Sequence, residues 1–373
     1  MATGCDNLYL PPEMITDILK RLRVKCLVRF QSVCKDWRNL LKSPYFIEEH
    51  YHHSILNNCL LVCRICHRTD GIWPPCLLHC EKETVEVERL PVMDSLGRLT
   101  QLVGSSNGLL CVKLGYEEYY PLPSLLLLNP ATREVRQVPK STNDHGRSRF
   151  CRVDSGFGYN HVVRDYKIVT IHRVRHRNEY DLACVDLVDV FSLRKGSWKE
   201  VEFGIIRFID LYSQPVTVNG AMFWSGWHRR DLRGVVVSFD LKTEVFTLIS
   251  IPSSSPIYDN NLGVYENKVM GIPYSVHEFE LWVLEEAGSC ASGKSWVWTK
   301  KYRTSETSPL FPHFPLLRNE LACYNAKGDS GLLFNTTTNS KLKKFTSSSA
   351  DFVMVEKLVY VESLVSMCDM YIE

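Results

Sequence analysis

Two stretches of this sequence carry residue types whose spacing is typical of phosphate or metal chemistry. The first, GSCASGKS at residues 288–295, fits the spacing of a phosphate-binding loop, in which backbone N–H groups and a lysine hold phosphates. That chemistry also needs a helix directly after the loop, because the amides of the helix N-terminus face the phosphate. The residues that follow, Trp296 to Tyr302, are rich in aromatic and β-branched types and predict a strand. We therefore predict a hairpin loop here, with no bound nucleotide or other cofactor.

The second stretch combines cysteine and histidine at a spacing typical of zinc ligands. It contains Cys63, Cys66, Cys76 and His79. A structural zinc site needs four ligands that converge from turns. Cys63 and Cys66 lie in one predicted strand, and the two-residue period of a strand places them on opposite faces. We predict buried cysteines and no metal, with a structural zinc site as the alternative.

The composition gives no sign of a catalyst, a nucleic-acid-binding protein or a membrane protein. The 373 residues include 12 histidines, mainly in predicted loops, and no pair of nucleophile and base is apparent. The formal net charge of +2 is too small for broad attraction to nucleic acid or to an anionic membrane. No apolar run is long enough to span a bilayer. We expect the 14 cysteines to be reduced and the chain to work in the cytoplasm, the nucleus or both.

The residues from Leu10 to Leu41 predict two or three short helices. The sequence LPPE at the start is a typical helix beginning, because proline fits the first turn and an acidic residue is favourable there. Apolar residues then recur at helical spacing from Ile15 to Leu22, and again up to Leu41. So few apolar side chains do not offset the entropy lost in ordering the segment. We predict that a partner surface covers it, either on this chain or on another protein.

The same residues, LPPEMITDILKRLRVKCLVRFQSVCKDWRNLL, resemble the F-box. The resemblance covers nearly every apolar position of the F-box pattern and its V-C-K-x-W element. The sequence departs from the pattern at Arg23, where the family has proline, and at Cys26, where it has serine. The arginine removes a rigid break, and we expect it to loosen the second turn without removing an apolar anchor.

This resemblance implies docking on a Skp-type adaptor, which links an F-box protein to the cullin and RING subunits of a ubiquitin ligase. The missing part of the helical core would then belong to the adaptor. Carried over position by position, the resemblance implies these adaptor-binding residues: Leu10, Pro11, Ile15, Ile18, Leu19, Leu22, Val24, Leu27, Phe30, Val33, Cys34, Trp37 and Leu40.

The rest of the chain repeats one unit at intervals of about 40 to 60 residues. The unit is an apolar strand, a tight polar turn and a second strand, as in LLLLNPATREVRQVP, residues 125–139. A hairpin with an Asn-Gly bend precedes it, as in VTVNGAMFWSG, residues 216–226. Four strands per repeat, called a to d, predict the blades of a kelch-like β-propeller. The short a–b and c–d turns must lie on one face, and the long b–c and d–a connections on the other.

The first blade lacks its a strand, and one strand is left over at the C-terminus, KLVYVESLV, residues 357–365. Because ring closure removes exposed strand edges, we predict six irregular four-stranded blades closed by this strand. The stretches GSSNGLLCV, LLLLNPATREV, SWKEV and YVESL resemble the F-box-associated domain of plant F-box proteins, including the S-locus F-box and F-box-kelch-repeat groups. The predicted fold is a small all-α F-box, residues 1–50, followed by an all-β kelch-like propeller, residues 51–373.

The b–c loops are the predicted site for a target protein. They are rich in Arg, Tyr and Trp, the residue types that are enriched in interface hot spots. The alternative is that these side chains only solvate exposed loops. The predicted substrate-binding residues are Tyr119, Tyr120, Arg175, Arg177, Tyr180, Trp227, Arg229 and Arg230.

Together, these features predict the substrate-recognition subunit of a Skp–cullin–F-box ubiquitin ligase, without catalytic residues of its own. The propeller would hold an unidentified target near the ubiquitin-loaded enzyme, for ubiquitination and proteasomal degradation. One alternative is a propeller that binds a ligand or acts as an enzyme, with the N-terminal helices as a cap on their own chain and no link to ubiquitin. Another is an adaptor-bound scaffold that does not direct degradation.

Overall fold

A computed structural model of the chain shows four N-terminal helices followed by a sheet-rich, propeller-like domain. The residues that the structure describes are 10–57, 59–67, 71–72, 76–81, 84–89, 99–114, 124–141, 150–175, 183–212, 214–251, 262–271, 279–290, 293–304, 310–316, 320–325, 330–335, 340–346 and 352–367. Within these residues, no helix is both long enough and apolar enough to cross a membrane.

The helices are α1 (Pro12–Leu19), α2 (Val24–Phe30), α3 (Lys35–Lys42) and α4 (Pro44–Asn57). The first three confirm the predicted short helices. Proline at the start of α1 needs no hydrogen-bond acceptor for its nitrogen, and the thiol of Cys34 accepts a hydrogen bond from the Trp37 amide at the start of α3. Helix α4 continues across residue 50, where the sequence analysis places the domain boundary; the division into domains stays a prediction.

The strands of the described residues form six sheets, which follow one another along the chain. The first contains β1 (Cys59–His67), β2 (Gly71–Ile72), β3 (Cys76–Glu81), β4 (Thr84–Arg89) and the C-terminal β26 (Phe352–Val361). The second contains β5 (Leu99–Ser106), β6 (Leu109–Leu114), β7 (Ser124–Asn129) and β8 (Glu134–Gln137). The third contains β9 (Phe150–Asn160), β10 (Asp165–Arg175), β11 (Ala183–Ser192) and β12 (Ser197–Glu200).

The fourth sheet follows a short 3-10 helix at Gly204–Ile206. It contains β13 (Ile209–Leu211), β14 (Val216–Val218), β15 (Ala221–His228), β16 (Arg233–Asp240) and β17 (Val245–Ser250). The fifth contains β18 (Leu262–Tyr265), β19 (Lys268–Gly271), β20 (Phe279–Cys290) and β21 (Gly293–Thr304). The sixth contains β22 (Leu310–Leu316), β23 (Glu320–Asn325), β24 (Ser330–Asn335) and β25 (Ser340–Thr346).

Neighbouring strands are antiparallel in every sheet, and in the fourth sheet both β13 and β14 pair with β15. The sheets meet through one strand of each. Strand β5 contacts β26 and β9, β14 contacts β9 and β18, and β18 contacts β22. As predicted, the C-terminal strand pairs with β1, with Val361 opposite Cys59 and Lys357 opposite Cys63. Apolar side chains of neighbouring sheets form shared cores, for example Phe157 and Ile168 of the third sheet with Val103 and Leu127 of the second.

Tight turns join the first two strands of several sheets, as the Asn-Gly pairs predict. Asn107 and Gly108 have φ values of 45° and 83°, and Asn219 and Gly220 have φ values of 48° and 74°. Both central residues of such a hairpin turn need positive φ, which glycine and asparagine tolerate best. Because neighbouring strands are antiparallel, these turns and the turn between β7 and β8 lie at one end of their sheets, and the turn between β15 and β16 lies at the other end.

Both stretches that suggested phosphate or metal chemistry lie in strands. Strands β20 and β21 pair as far as Cys290 and Gly293, so a strand follows the GKS sequence, as predicted, where a phosphate-binding loop would need a helix. Cys63 and Cys66 both belong to β1, as predicted. No group of potential metal ligands occurs among the residues that the structure describes.

One buried lysine connects the third sheet to the fourth. Lys167 of β10 is 5% exposed, and its ammonium group donates hydrogen bonds to the Leu241 carbonyl oxygen and, at 2.8 Å, to Glu244 Oε1. Lys199 of β12 donates to the other oxygen of the same carboxylate. Burial alone would raise the pKa of Glu244, but the two lysines outweigh it and lower the pKa below its ordinary value of 4.5.

We predict that Glu244→Gln lowers the thermal unfolding midpoint by about 2 °C at pH 7. Because the pKa of Glu244 is lowered in the folded chain, the carboxylate stabilises the fold above its ordinary pKa, and this stabilisation is lost as the pH falls through the lowered value. The midpoints of the variant and the wild type should therefore converge in acid, as followed by circular dichroism. Glu200→Gln, at an exposed position of β12, is the control. A difference in midpoint between the wild type and Glu244→Gln that does not change with pH would contradict a stabilising role of the ionised Glu244.

Candidate functional site

The inner faces of the N-terminal helices form a small core with helix α4 and the C-terminal segment of the chain. The half-buried side chains of Ile15, Leu22, Phe30, Trp37 and Leu40 pack around this core. Its fully buried members are Leu19, Val24, Leu27, Leu41, Phe46 and Leu364. Three of the predicted adaptor-binding residues, Leu19, Val24 and Leu27, are therefore at most 1% exposed and support the helices from within.

The outer faces of the same helices leave apolar side chains in solvent. Leu10, Ile18 and Val33 are 49%, 48% and 61% exposed, and Pro11 and Cys34 are exposed as well. Two exposed apolar residues escaped the sequence reasoning, Met14 and Val28. Met14 lies one helical turn before Ile18, a spacing that could have revealed it. We call the set Leu10, Met14, Ile18, Val28 and Val33 the outer apolar surface.

Helix α4 holds α1 and α2 in place through a buried histidine. The Nε2 atom of His50 lies 2.8 Å from the carbonyl oxygen of Leu22 and donates to it, and the imidazole ring stacks on Phe46. Burial lowers the pKa of His50, although the hydrogen bond to Leu22 acts in the opposite direction. The imidazole is therefore neutral near pH 7 and can remain in the apolar core.

The segment that follows β26, Glu362–Met367, joins the helices to the propeller-like domain, and we call it the C-terminal strap. Glu362 accepts a hydrogen bond of 3.4 Å from the amide of Val24, at the start of α2. Arg23 occupies the N-cap position there without a side-chain cap, but its φ of −64° keeps the break between helices. The strap supplies an acceptor for the first amide of α2 from the far end of the chain, and the expected loosening at Arg23 stays a prediction.

The strap is bound more tightly on its other side, by the turn between β7 and β8. The side-chain amide of Asn129, which is fully buried, donates to the carbonyl oxygens of Ser363 at 3.0 Å and Val365 at 2.7 Å. A Cβ atom on Gly108 would lie 2.0 Å from Cβ of Ser363, so only glycine fits this contact. Because Ala131 of the same turn packs against the helical core, the helices lie on the short-turn face.

The predicted target-binding residues lie at the opposite face, as far as the structure describes them. Arg175 is the last residue of β10, Trp227 is half-buried in β15, and Arg229 and Arg230 lie in the turn after β15. The remaining predicted residues fall outside the described residues: Tyr119, Tyr120, Arg177 and Tyr180.

Two aspartates bind the arginines at the ends of β9, β10 and β15. Asp210 accepts hydrogen bonds from Arg229 and, at 2.7 Å, from Arg173, which is 2% exposed. Arg173 also donates to Asp154 at 3.0 Å, and Arg152 donates to the other oxygen of Asp154 at 2.8 Å. The structure thus brings Arg229 together with residues that the sequence reasoning missed, and its charge is balanced by Asp210.

Two further arginines contact the ring of a phenylalanine beside this network. The guanidinium of Arg230 lies 3.7 Å from the ring centroid of Phe208, and that of Arg207 lies 5.9 Å from it, both within the range of cation–π contacts. Arg207 and Arg230 are exposed, while Phe208 is half-buried. The Phe208 carbonyl oxygen accepts a hydrogen bond from the amide of Arg229, which fixes the ring beside the network.

Comparisons with known proteins agree with this arrangement of helices and sheets. A family model described as the F-box associated beta propeller domain matches residues 77–308, and the F-box domain model matches residues 8–49. The chain therefore belongs to the family of F-box proteins that carry an F-box associated β-propeller domain. An F-box indicates binding of a Skp-type adaptor, and the combination supports a general role as a substrate adaptor of a ubiquitin ligase; neither matched model is an enzyme family.

Similar proteins include members of the same family from Arabidopsis thaliana. F-box protein At4g22390 is 28% identical over 315 residues, which cover 79% of this chain and 73% of that protein. F-box/kelch-repeat protein At3g23880 is 26% identical over 249 residues, which cover 64% of each chain. Among solved structures, a chain of the nidogen/laminin complex is 12% identical with a TM-score of 0.48, over 82% of this chain and all of that one. A TM-score this low carries no argument.

We predict that Asn129→Asp destabilises the folded chain by about 2 kcal/mol, because a buried carboxylate oxygen would face two strap carbonyls that have lost their donor. Asn129 Oδ1 also accepts hydrogen bonds from the amides of Ala131 and Thr132, and aspartate keeps those bonds. Asn160→Asp is a matched control, since Asn160 caps its own turn in the same way but donates only one long bond, 3.4 Å, to Gly220. If urea unfolding shows equal losses of unfolding free energy for Asn129→Asp and Asn160→Asp, the bonds from Asn129 to the strap do not contribute to stability as proposed.

We predict that Asp210→Asn lowers the free energy of unfolding by about 2–4 kcal/mol, because Arg173 and Arg229 would both lose an ionised partner and Arg173 is buried. Asparagine keeps the shape of the side chain, so the loss reports the charge. Asp231→Asn is the control: its carboxylate is 46% exposed and pairs with Arg233 at 3.2 Å, so its loss should stay within about 0.5 kcal/mol. A loss at Asp210 no greater than at Asp231 would contradict the structural role of the network.

Proposed function

We propose that this protein is the substrate-recognition subunit of a Skp–cullin–F-box ubiquitin ligase. The observation that carries the proposal is the outer apolar surface. A module of three short helices, already packed on one side, keeps five apolar side chains between 40% and 61% exposed on the other. Five exposed apolar side chains on the outside of so small a module are typical of a docking surface.

A Skp-type adaptor is the occupant that family membership supports. Within the set of predicted adaptor-binding residues, the exposed ones would make direct contact: Leu10, Pro11, Ile18, Val33 and Cys34. The buried ones, Leu19, Val24 and Leu27, would act by holding the helices in position. Through the adaptor, the chain would reach the cullin and RING subunits that supply the ubiquitin-transfer chemistry.

The propeller-like domain would capture a target protein on the face away from the helices. The helices lie against the turn between β7 and β8, through Ala131, while Trp227, Arg229 and Arg230 lie at or beside the turn between β15 and β16, at the opposite end of the strands. Because the strap holds the helices by buried contacts, a captured target would keep one orientation relative to the ligase. Such an arrangement raises the effective concentration of target lysines near the ubiquitin-loaded enzyme, which leads to ubiquitination and degradation.

We also infer that the six sheets are the blades of one propeller, closed where β26 pairs with β1. Support comes from the register of that pair, which runs from Cys59 opposite Val361 to His67 opposite Phe352. Closure of this kind leaves no first strand with an exposed edge. The boundary near residue 50 and a location in the cytoplasm or the nucleus remain predictions that accompany the proposal.

The rival function, a cap of helices on a propeller that has no link to ubiquitin, gains support from one observation. The inner faces of the helices do pack on their own chain, through Leu364 and Ala131. A cap of this kind accounts for the buried side chains, yet it gives no reason for Ile18 and Val33 to remain exposed. The outer apolar surface therefore favours the adaptor.

The decisive experiment is co-purification of the full chain with a Skp-type adaptor, for the wild type and for Ile18→Asp. An aspartate inside an apolar contact is desolvated without a partner, so adaptor binding should weaken by more than about tenfold, which is 1.4 kcal/mol. Because Ile18 is 48% exposed in the chain alone, the thermal unfolding midpoint should stay within about 1 °C.

Two further variants separate docking from folding. Asn39→Asp adds the same carboxylate at an exposed position of α3, outside the outer apolar surface, and should keep adaptor binding. Leu19→Asp, at a buried position of the same helix as Ile18, should instead lower the unfolding midpoint. Undiminished adaptor binding by Ile18→Asp would refute the proposed docking surface, and absence of binding by the wild type would favour the cap.

A further inference from the structure

The face opposite the helices carries a compact group of charged and aromatic residues, which we call the arginine cluster. It lies where the third and fourth sheets meet, and its parts come from β9, β10, the connection after the 3-10 helix, β13 and the turn after β15. Its members are Arg152, Asp154, Arg173, Arg207, Phe208, Asp210, Arg229 and Arg230.

The lower part of the cluster is a fixed base. Arg173 joins Asp154 to Asp210 by hydrogen bonds of 3.0 Å and 2.7 Å, and Asp210 also holds Arg229. Arg173 is 2% exposed and the side chain of Arg229 is 18% exposed, so both guanidinium groups have little freedom to move. Charge pairs at such depth fix geometry, because breaking one leaves a desolvated charge.

The upper part of the cluster consists of Arg207 and Arg230, which contact an aromatic ring and not carboxylates. Among the residues that the structure describes, no ion pair involves Arg207 or Arg230, and both guanidinium groups lie over Phe208. The backbone here is fixed as well, since the Arg207 carbonyl oxygen accepts from the amide of Val185 at 3.1 Å. Two exposed guanidinium groups thus share one aromatic support.

The charges of the cluster do not balance. Within the part of the chain that the structure describes, the five arginines of the cluster meet two aspartates, which leaves three positive charges in excess, on a chain with a net charge of only +2. The neighbouring pair of Arg233 and Asp231, 3.2 Å apart, is neutral and changes nothing. Positive charge is therefore concentrated at one place, where it can attract and orient a partner of opposite charge.

We propose that the arginine cluster binds an acidic segment of the target protein, with carboxylates of aspartate or glutamate on Arg207 and Arg230 and an apolar side chain against Phe208. This inference rests on the proposed function, since it assigns the chemistry of the captured target. Two separate, singly charged donors match separate carboxylates. Asp154 and Asp210 lie beneath them, and these two carboxylates oppose a phosphoryl dianion more strongly than a singly charged carboxylate.

The test uses the full chain in complex with its Skp-type adaptor and a fluorescein-labelled peptide of alternating glutamate and leucine residues. Fluorescence polarisation should show binding that weakens as salt rises from 0.05 to about 0.5 M, because screening shortens the reach of the charges. The double variant Arg207→Gln/Arg230→Gln should bind the peptide at least about tenfold more weakly. Arg164→Gln, at an exposed turn on the opposite face, is the matched control and should change the affinity less than about twofold.

Two further arms identify what the cluster recognises. A peptide of alternating lysine and leucine should not bind, and a serine–leucine peptide with one phosphoserine should bind more weakly than the glutamate peptide. Equal binding of the glutamate peptide by the double variant, equal binding of the lysine peptide, or a preference for the phosphopeptide would each overturn the proposal. Because adaptor binding is read from purification of the complex itself, failure of the peptide arm is distinguishable from failure of the proposed function.

Discussion

The arrangement of this protein depends on six residues that follow its last strand. Glu362 to Met367 leave the propeller-like domain beside β1 and lie between that domain and the N-terminal helices. Leu364 completes the helical core, while Val365 and Met367 enter the core between the second and third sheets. Two carbonyl oxygens of this strap are satisfied by the single buried amide of Asn129. Since buried backbone groups must find partners, this side chain fixes the middle of the strap, and Glu134 and Arg136 bind the backbone of Met367 at its end.

The strap has a consequence for the helical module. A few short helices lack the apolar surface to fold by themselves, and the chain supplies part of the missing core from its own C-terminus, 338 residues away from Val24. This leaves the outer apolar surface uncovered. The two interpretations of the helices, as a cap on their own chain and as a docking module, therefore describe opposite faces of the same helices. The chain buries the inner faces of the helices and so holds them in position, and their outer faces stay available for a partner.

The same division separates the two proposed binding surfaces. The helices lie on the face that carries the turn between β7 and β8, and Trp227, Arg229 and Arg230 lie on the opposite face, at or beside the turn between β15 and β16. On that second face, Asp154 and Asp210 neutralise the deeper arginines, and Phe208 supports the outer ones. An exposed arginine is by itself a weak indication of binding. Here the indication is stronger, because Phe208 contacts the exposed arginines and the aspartates bind the deeper ones.

The sequence by itself determined the features that depend on local pattern. Apolar spacing and proline predicted the short helices, Asn-Gly pairs predicted the hairpins, and the motif showed the resemblance to the F-box. It also indicated that the C-terminal strand pairs with β1, because an unpaired edge is unfavourable. Only the tertiary structure decided which F-box residues face inward, as Leu19 does, and which face outward, as Met14 does. It alone joined Arg173, Asp210 and Arg229. Contacts between residues far apart in the chain leave no periodic trace, so burial and charge pairing could not be predicted from spacing.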